Sequence, residues 1–207
     1  GRETGCPYLQ TGESFYDREE HLEWKHTEDG YTIYSDDEGV YYHFASVQRA
    51  GGLRMLTEIS TTDGFKILFR YTVNGHLKKI VDSRGETLYV NTDRQGRVEK
   101  IFRRADGKDI LLVGYHYDAS GNMVSTEDSS GTRKFFYYAG HQLIKLTNQS
   151  GMSFHWEYDG EGEASRCIHT WGDDGVMEYY IEYGDGFTRT TNGLGYTTEF
   201  YYHSNKL

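Results

Sequence analysis

The sequence predicts an all-β fold of consecutive antiparallel β-hairpins, and three observations support this fold class. The 207 residues include 25 Gly, 19 Tyr and a single Pro, so Gly is well above its usual share of about 7%. Turn-forming residues recur every ten to thirteen positions, and hydrophobic and polar residues alternate between them. This spacing accommodates short strands but not helices of average length with their loops. We therefore expect about fifteen strands, with helix limited to one turn before residue 25.

Alternation with a period of two residues, which is typical of half-buried strands, is clearest in the later part of the chain. It predicts strands at Lys66–Tyr71, Ser153–Tyr158 and Glu178–Tyr183. The first 60 residues are less regular, with further strands predicted at 29–34, 39–44 and 53–59 and a helical turn at 17–22. The predicted organisation is a lead-in segment at 1–20, a β region at 21–64 and a repetitive β-ribbon at 65–207.

The segments between the strands are turn motifs such as DASG (118–121), DSSG (128–131) and NQSG (148–151). Asp and Asn side chains accept hydrogen bonds from the backbone two residues on, and Gly adopts the positive φ of tight hairpins. The residues predicted to form the structural turns of the repeat are Tyr117, Asp118, Gly121, Tyr158, Asp159, Gly162, Gly75, Gly96, Gly131, Gly140 and Gly151.

A longer period is visible in the tyrosines that end successive strands. Tyr117, Tyr138, Tyr158, Tyr183 and Tyr202 follow one another at intervals of 21, 20, 25 and 19 residues. Each unit is thus one hairpin of about twenty residues, a period that indicates a repeat architecture. Because such a unit cannot bury its own hydrophobic face, it must stack on its neighbours. The Tyr-Asp-x-x-Gly motif is therefore interpreted as a repeated turn and not as a catalytic or metal-binding loop.

These motifs carry a resemblance to a known family. Tyr117-Asp-x-x-Gly121, Tyr158-Asp-x-x-Gly162, Tyr71-x-x-x-Gly75 and Asp93-x-x-Gly96 resemble the YD repeats of Rhs (rearrangement hot spot) proteins. Related repeats occur in the C components of insecticidal toxin complexes, in wall-associated bacterial toxins and in animal teneurins. The stretch from residue 36 to residue 85 is similar to the segment that leads into the first YD repeats of bacterial Rhs proteins. The resemblance covers nearly the whole chain beyond about residue 12.

The resemblance implies a long twisted YD-repeat ribbon that spirals into a hollow Rhs-type shell around a C-terminal toxin. It implies an effector of interbacterial competition that is made in the cytoplasm and then secreted, often by a type VI secretion system. The family's tip domain, its toxin domain and its proline-containing autoproteolytic motif are not found in the sequence, whose one proline is Pro7. We therefore expect an early to middle slice of the shell.

The implied partners are the remainder of the same effector, its toxin cargo and secretion-system tip proteins. The final predicted strand, Thr197–His203, is expected to be an exposed edge that pairs with a second copy or with another part of the effector.

Composition argues against several other classes of protein. The formal net charge is −10 and no run of basic residues is longer than two or three, so a nucleic-acid partner is not expected. The sequence contains neither an apolar span of about 18 residues nor a signal-peptide core, so neither a membrane partner nor Sec-type export is expected. Cys6 and Cys167 are interpreted as free or buried thiols, and a disulfide remains open.

No catalytic, cofactor-binding or metal-binding residues are predicted. His116, His141, His155, His169 and His203 lack HxH or HExxH spacing and are interpreted as solvated or hydrogen-bonded residues of strands and turns. The acidic turns do not have the spacing of a calcium loop, and Glu161 and Glu163 near Asp159 form the one local carboxylate cluster. There is no GxSxG motif, and Gly193-Leu-Gly195 reads as a turn.

Paired tyrosines allow two interpretations. They could form a sugar-binding platform, or they could pack across neighbouring strands, and cross-strand packing is favoured. The residues concerned are Tyr41, Tyr42, Tyr137, Tyr138, Tyr179, Tyr180, Tyr201 and Tyr202. The leading hypothesis is thus a non-enzymatic, structural part of a shell that encloses a toxin. The alternative is a carbohydrate-binding or cell-surface-binding module, and an enzyme ranks third.

Overall fold

The computed structural model describes residues 5–47 and 53–202 of the chain. They form 18 β-strands and one 3-10 turn, and the paired strands are antiparallel. The predicted all-β fold of consecutive antiparallel hairpins is therefore confirmed. The strands outnumber the expected fifteen, partly because residues 14–61 contain five strands where three were predicted.

The chain divides into two compact units, Gly1–Leu112 and Val113–Leu207, with the boundary inside strand β10. In the first unit each strand from β1 to β9 pairs with the next one along the chain. These strands are β1 (Ser14–Asp17), β2 (Leu22–His26), β3 (Gly30–Ser35), β4 (Val40–Ser46), β5 (Arg54–Thr61), β6 (Lys66–Tyr71), β7 (Leu77–Asp82), β8 (Thr87–Thr92) and β9 (Val98–Ala105).

The second unit continues the same order, with each strand from β10 to β18 paired with the next. Its strands are β10 (Lys108–Tyr117), β11 (Met123–Asp128), β12 (Arg133–Ala139), β13 (Gln142–Thr147), β14 (Ser153–Tyr158), β15 (Cys167–Gly172), β16 (Tyr179–Gly184), β17 (Phe187–Asn192) and β18 (Thr197–Tyr201). β6 and β14 begin and end at the residues predicted from alternation. The other predicted strands differ by one or two residues at their ends.

The lead-in segment at 1–20 contains strand β1. Asp17 ends β1, and its Oδ1 accepts hydrogen bonds from the backbone N–H groups of Glu19 and Glu20, at 2.9 and 3.1 Å. These bonds close a hairpin turn that leads into β2 at Leu22, so the predicted helical turn at 17–22 is wrong. Asp17 pairs with Leu22 across this turn, and His21 has a φ of 52°, which lies outside the right-handed helical region.

The 3-10 turn lies elsewhere, at Asp173–Gly175 between β15 and β16. It also contradicts the expectation that any helical turn would precede residue 25. Within the described ranges, no helix has the length and apolar character needed to cross a membrane.

Few hydrophobic side chains are fully buried among the described residues. Leu9, Val90 and Phe102 are the buried hydrophobic residues, at 4–5% exposure, and most other strand side chains are half-buried. Contacts between neighbouring strands and the closure of the turns must therefore supply a large part of the stabilisation. The repeated turns are consequently a defining feature of this chain.

Candidate functional site

One turn geometry recurs at eight hairpins of the chain. In each, the N–H of the glycine at the fourth position donates to the C=O of the first residue. The N–H of the first residue donates to the C=O of the fifth, and all these N···O distances are 2.7–3.1 Å. The first residues of the eight turns are Thr61, Thr72, Asp82, Asp93, Asp118, Asp128, Asn148 and Asn192.

The side chain of the first residue stabilises the same turn. In the turn that starts at Asp128, Oδ1 accepts hydrogen bonds from the N–H groups of Ser130 and Thr132, at 2.9 and 3.1 Å. Thr72 uses its hydroxyl oxygen instead, which accepts from the N–H of His76 at 3.1 Å. The sequence motifs did not identify Thr61 or Thr72 as the first residue of such a turn. The signal that could have identified them is the glycine three positions later.

Five of the predicted glycines occupy the same position in this turn. Gly75, Gly96, Gly121, Gly131 and Gly151 have φ values of 85, 87, 91, 84 and 88°. A side chain at such a φ is strained, so glycine is the residue that this position favours.

The other two predicted glycines lie in different loops. Gly140, with φ of 60°, lies between the paired residues Ala139 and Gln142 in a two-residue hairpin loop. Gly162, with φ of 82°, lies in a longer loop that closes where the N–H of Asp159 donates to the C=O of Arg166, at 3.0 Å.

The motif Tyr158-Asp-x-x-Gly162 therefore does not form the same turn as Tyr117-Asp-x-x-Gly121. The longer loop brings Asp159 to Arg166, whose N–H donates to Asp159 Oδ1 at 2.7 Å. The additional residues, together with the longer connection between β15 and β16, lengthen the interval between Tyr158 and Tyr183 to 25 residues.

The repeat tyrosines share a backbone contact that we call the tyrosine ladder. In each case the phenolic hydroxyl donates to a backbone carbonyl oxygen 15 or 16 residues earlier. The pairs are Tyr71 with Leu56 at 2.6 Å, Tyr138 with Met123 at 3.1 Å, Tyr158 with Leu143 at 2.9 Å, Tyr183 with Cys167 at 2.9 Å and Tyr202 with Phe187 at 3.3 Å. Each tyrosine thus ties its own strand to the start of an earlier one.

β-Bulges explain why these carbonyl groups can act as acceptors. The register shifts just before Tyr117, Tyr138 and Tyr158, so one residue of the neighbouring strand has no partner there. Past the shift, Tyr138 lies opposite Leu143, and the carbonyl of that same leucine accepts the hydroxyl of Tyr158. Backbone groups beside a bulge lose regular ladder partners and must find others. The next tyrosine of the repeat supplies one.

Burial of the ladder hydroxyls affects their ionisation. It raises the pKa of Tyr71, Tyr138, Tyr158 and Tyr183 above the ordinary value, because a phenolate would lose its hydration. The hydroxyls therefore stay protonated, and able to donate, throughout the neutral pH range.

Side chains also connect successive turns of the second unit. The amide of Asn122 donates to Gly140 O at 3.0 Å and to Asp118 Oδ2 at 3.0 Å, while its Oδ1 lies 2.7 Å from His141 Nδ1. The hydrogen bond from the Asn122 side chain lowers the pKa of Asp118, aided by backbone donors and opposed by burial. The amide of Gln142 makes the equivalent contact one hairpin further on, to Gly160 O at 3.0 Å.

The histidines of β14 and β15 lie in a stack of rings. Trp171 stacks on His155 and on His169, with ring centroids 5.1 and 4.3 Å apart. The two ring nitrogens of His169 lie 3.3 and 3.1 Å from carboxylate oxygens of Glu157 and Glu178. Both histidines are thus packed and paired. Within the described part of the chain, no three His, Cys, Asp or Glu side chains are placed to hold a metal ion.

The two outer histidines of the predicted set have simpler positions. His116 lies in β10, with Nε2 3.9 Å from a carboxylate oxygen of Glu127. His203 lies outside the described residues.

Several of the paired tyrosines have a ring face covered by a neighbour. Tyr41 packs on Tyr34 with ring centroids 4.6 Å apart, and Tyr180 stacks on His169 at 4.2 Å. Lys145 Nζ lies 5.3 Å from the ring centroid of Tyr137. Sugars bind aromatic platforms through exposed ring faces, so these contacts favour cross-strand packing over a platform.

The remaining sequence candidates are the two cysteines and the two glutamates of the carboxylate cluster. Cys6 and Cys167 are free thiols, and burial raises the pKa of each. Glu161 and Glu163 line a cavity of about 610 Å³ together with His141.

The turns, the bulges and the tyrosine ladder define the class of this molecule, an all-β protein built from YD-type hairpins. By sequence the chain is 28% identical over 174 residues to "Probable deoxyribonuclease RhsA" of Dickeya dadantii (strain 3937), covering 83% of this chain and 12% of that protein. It is 23% identical over 190 residues to "Double-stranded DNA deaminase toxin A" of Burkholderia cenocepacia (strain H111), covering 87% of this chain and 13% of that protein. The predicted resemblance to Rhs/YD-repeat proteins is thus confirmed.

The chain spans about one eighth of the length of these relatives. No family model matches it. Among solved structures, it is similar to a chain of "Crystal Structure of TcdB2-TccC3-TEV", with a TM-score of 0.49, 14% identity and coverage of 82% of this chain and 9% of that chain. It is also similar to a chain of the Photorhabdus luminescens Tc holotoxin pore, with a TM-score of 0.49, 15% identity and coverage of 81% and 9%.

Proposed function

We propose that this chain is a structural, non-enzymatic part of an Rhs-type shell that encloses the toxin domain of a secreted bacterial effector. The observation that carries the proposal is the tyrosine ladder, in which one hairpin after another is closed by the same hydroxyl-to-carbonyl bond between its two strands. A repeat in which each unit contacts its neighbours extends by addition, and its length is set by the number of units. Such a ribbon is suited to form a long wall.

The relatives support the toxin connection. Their names describe a deoxyribonuclease and a DNA deaminase toxin, and each protein is about eight times as long as the part matched here. We propose that residues 65–207 are a YD-repeat ribbon, that residues 21–64 lead into it and that residues 1–20 are a lead-in. The chemistry of the effector would then belong to another domain of the longer protein.

The mechanism of the proposed shell is steric. One face of the ribbon lines a cavity and the other faces solvent, so the enclosed toxin cannot reach its target inside the producing cell. The proposed partners are the rest of the effector, its toxin and the tip proteins of a secretion system. Type VI delivery between competing bacteria is the route that we propose for this effector.

The test is protease protection of the toxin domain in the longer protein that carries this chain. We expect the toxin domain to resist a protease that degrades the same domain when it is expressed alone. The variant Tyr138→Ala/Tyr158→Ala, which removes two contacts of the ladder, should increase cleavage. Tyr137→Ala is the matched control, because this half-exposed tyrosine is not one of the ladder residues. Equal cleavage of the enclosed and isolated toxin domains would contradict the proposal.

The alternative of a carbohydrate-binding or cell-surface-binding module receives less support. Its tyrosines have ring faces packed against other side chains, as at Tyr41 and Tyr180. A glycan array distinguishes the two functions. A shell segment should give no saturable binding to any sugar, whereas a binding module should select at least one.

A further inference from the structure

Strands β6 to β9 concentrate positive charge within an acidic chain whose formal net charge is −10. Their basic residues are Lys66, Arg70, Lys78, Lys79, Lys100, Arg103 and Arg104, and their acidic residues are Asp82 and Glu99. The sign of the charge on these strands is therefore opposite to that of the whole chain. A locally reversed charge of this kind marks a surface suited to an anionic partner.

The strand register brings part of this charge together on one face. Arg70 lies directly opposite Lys79, Lys79 opposite Tyr89, and Tyr89 opposite Phe102. Side chains directly opposite one another share a face, as do residues two apart on one strand, so Lys100 and Arg104 lie beside Phe102. We call this set the basic face, formed by Arg70, Lys79, Tyr89, Lys100, Phe102 and Arg104.

Three cations of the basic face have no carboxylate partner among the described residues. Arg104 pairs with Asp109 at 2.8 Å, but within the described residues no carboxylate forms an ion pair with Arg70, Lys79 or Lys100. Like charges directly opposite each other destabilise a sheet. An anion placed between Arg70 and Lys79 would therefore relieve a repulsion that is built into the fold.

Aromatic rings hold the neighbouring cations in position. The rings of Tyr89 and Phe102 stack with centroids 5.4 Å apart. Lys100 Nζ lies 4.8 Å from the ring centroid of Phe102, and the guanidinium carbon of Arg104 lies 4.6 Å from that of Tyr89. These are cation–π distances. The two cations therefore occupy ring faces on which nucleobases would have to stack.

The choice between anionic partners follows from these contacts and from the total charge. A nucleic acid gains affinity from base stacking and from a basic surface, but these rings are covered and the chain as a whole repels a long polyanion. A short carboxylate-bearing segment needs only the local cations. Arg70, which is exposed, has a guanidinium fork that suits a carboxylate.

We propose that the basic face binds an acidic segment of a protein partner, with carboxylates between Arg70 and Lys79 and beside Lys100. The binding surface lies wholly within the first unit. It does not depend on the proposed shell role, since either a domain of the same effector or a separate protein could supply the segment.

The test uses the full chain and a fluorescein-labelled peptide of alternating Glu and Ser, followed by fluorescence anisotropy at low and at physiological salt. We expect saturable binding that weakens as salt rises, because surface charges are screened. A peptide with Gln in place of Glu should not bind.

Two variants locate the binding surface. Arg70→Thr/Lys79→Thr should weaken binding roughly five- to tenfold, since each exposed ion pair contributes modestly. The same variant should melt at a temperature no lower than the parent chain, because it removes the cross-strand repulsion and introduces residues with good strand propensity. Arg103→Thr is the matched control. It removes an exposed cation of β9 that alternation places on the opposite face, so it should leave binding unchanged.

Three outcomes would overturn the proposal. The first is the absence of saturable binding to the Glu-containing peptide at low salt. The second is an equal loss of affinity in Arg103→Thr, which would mean that net charge alone drives binding. The third is tighter binding to an oligothymidylate that carries the same charge as the peptide, which would identify the partner as a nucleic acid.

Discussion

The hydroxyl of Tyr158 donates a hydrogen bond to the carbonyl oxygen of Leu143, 2.9 Å away and 15 residues earlier in the chain. Leu143 is itself the residue opposite Tyr138, the preceding tyrosine of the repeat. The contact therefore joins β13 and β14, the two strands of one hairpin, at the residue that also faces the preceding tyrosine. It gives the tyrosine of the YD motif a physical role in the hairpin that it ends, and not in the turn that follows it.

The first prediction concerns this bond. Tyr158→Phe keeps the ring but removes the donor, and it leaves the carbonyl of Leu143 without this partner. We expect the free energy of unfolding to fall by about 1 kcal/mol, which is typical for one hydrogen bond. The measurement is urea denaturation followed by circular dichroism. Tyr137→Phe is the control and should be neutral, because Tyr137 is 46% exposed and is not one of the ladder tyrosines. Equal losses in the two variants would contradict the role of the ladder.

The second prediction concerns backbone strain in the turns. Gly151 has φ of 88° and open space where a Cβ would lie, so Gly151→Ala changes strain without a clash. We expect it to destabilise the chain by roughly 1–2 kcal/mol, the usual penalty for a side chain in the left-handed region.

Gly160 provides the matched control for Gly151. It also has open space where a Cβ would lie but does not adopt a positive φ, so Gly160→Ala should be close to neutral. If both variants melt at the same temperature, positive φ is not what selects glycine in these turns. The same argument predicts that Gly121→Val is destabilising, because Gly121 has φ of 91°.

The third prediction concerns acid stability. Hydrogen bonds from the Ser130 hydroxyl and backbone N–H lower the pKa of Asp128. Further donors act in the same direction, and burial acts against them. A carboxylate whose folded pKa is depressed stabilises the fold above its unfolded pKa of about 3.9, and this contribution is lost as the pH falls through the folded value. Asp128→Asn keeps the turn acceptor, as Asn148 does naturally, but loses the charge.

The melting temperatures of the parent chain and of Asp128→Asn should therefore differ at about pH 6 and converge at about pH 2. Asp185→Asn is the control for the change of side chain, since no described residue donates a hydrogen bond to the Asp185 carboxylate. A constant difference for Asp128→Asn at every pH would show that its charge is not linked to folding.

The fourth prediction concerns strand β18. It pairs with β17 on one side, and within its unit no described strand pairs with the other side. Its five residues are all exposed, with Phe200 at 56%. An exposed aromatic strand edge offers unpaired backbone groups to another strand. We therefore expect the average mass in sedimentation experiments to rise with protein concentration, and Phe200→Lys to suppress this rise.

Phe135→Lys is the matched control for the edge. Phe135 is 40% exposed, but its strand pairs on both sides, so the substitution adds the same charge away from an edge. A chain that stays monomeric at every concentration, or one that responds equally to both substitutions, would argue against association through β18.

Much of this fold follows from local chemistry that can be read in the sequence. The Asp-x-x-Gly turns need only an acceptor side chain and a glycine within five residues, so Asp118 and Gly121 were predictable. Alternation set the bounds of β6 and β14 in the same way. The turn at Asp17 was not predictable from pattern alone, because a run of charged residues is equally compatible with a helix, and only the pairing of Asp17 with Leu22 makes this segment a hairpin turn.

The contacts between strands were decided by tertiary structure, because they depend on register. The sequence determined that Tyr158 recurs with its period, but the bulge before Tyr138 decided that the carbonyl of Leu143 would accept its hydroxyl. Likewise the sequence contains no long basic run, yet pairing of β6 with β7 places Arg70 opposite Lys79. A shift of one residue would turn each of these side chains to the other face. Turns are fixed by residues a few positions apart, whereas a shared face exists only after distant strands have aligned.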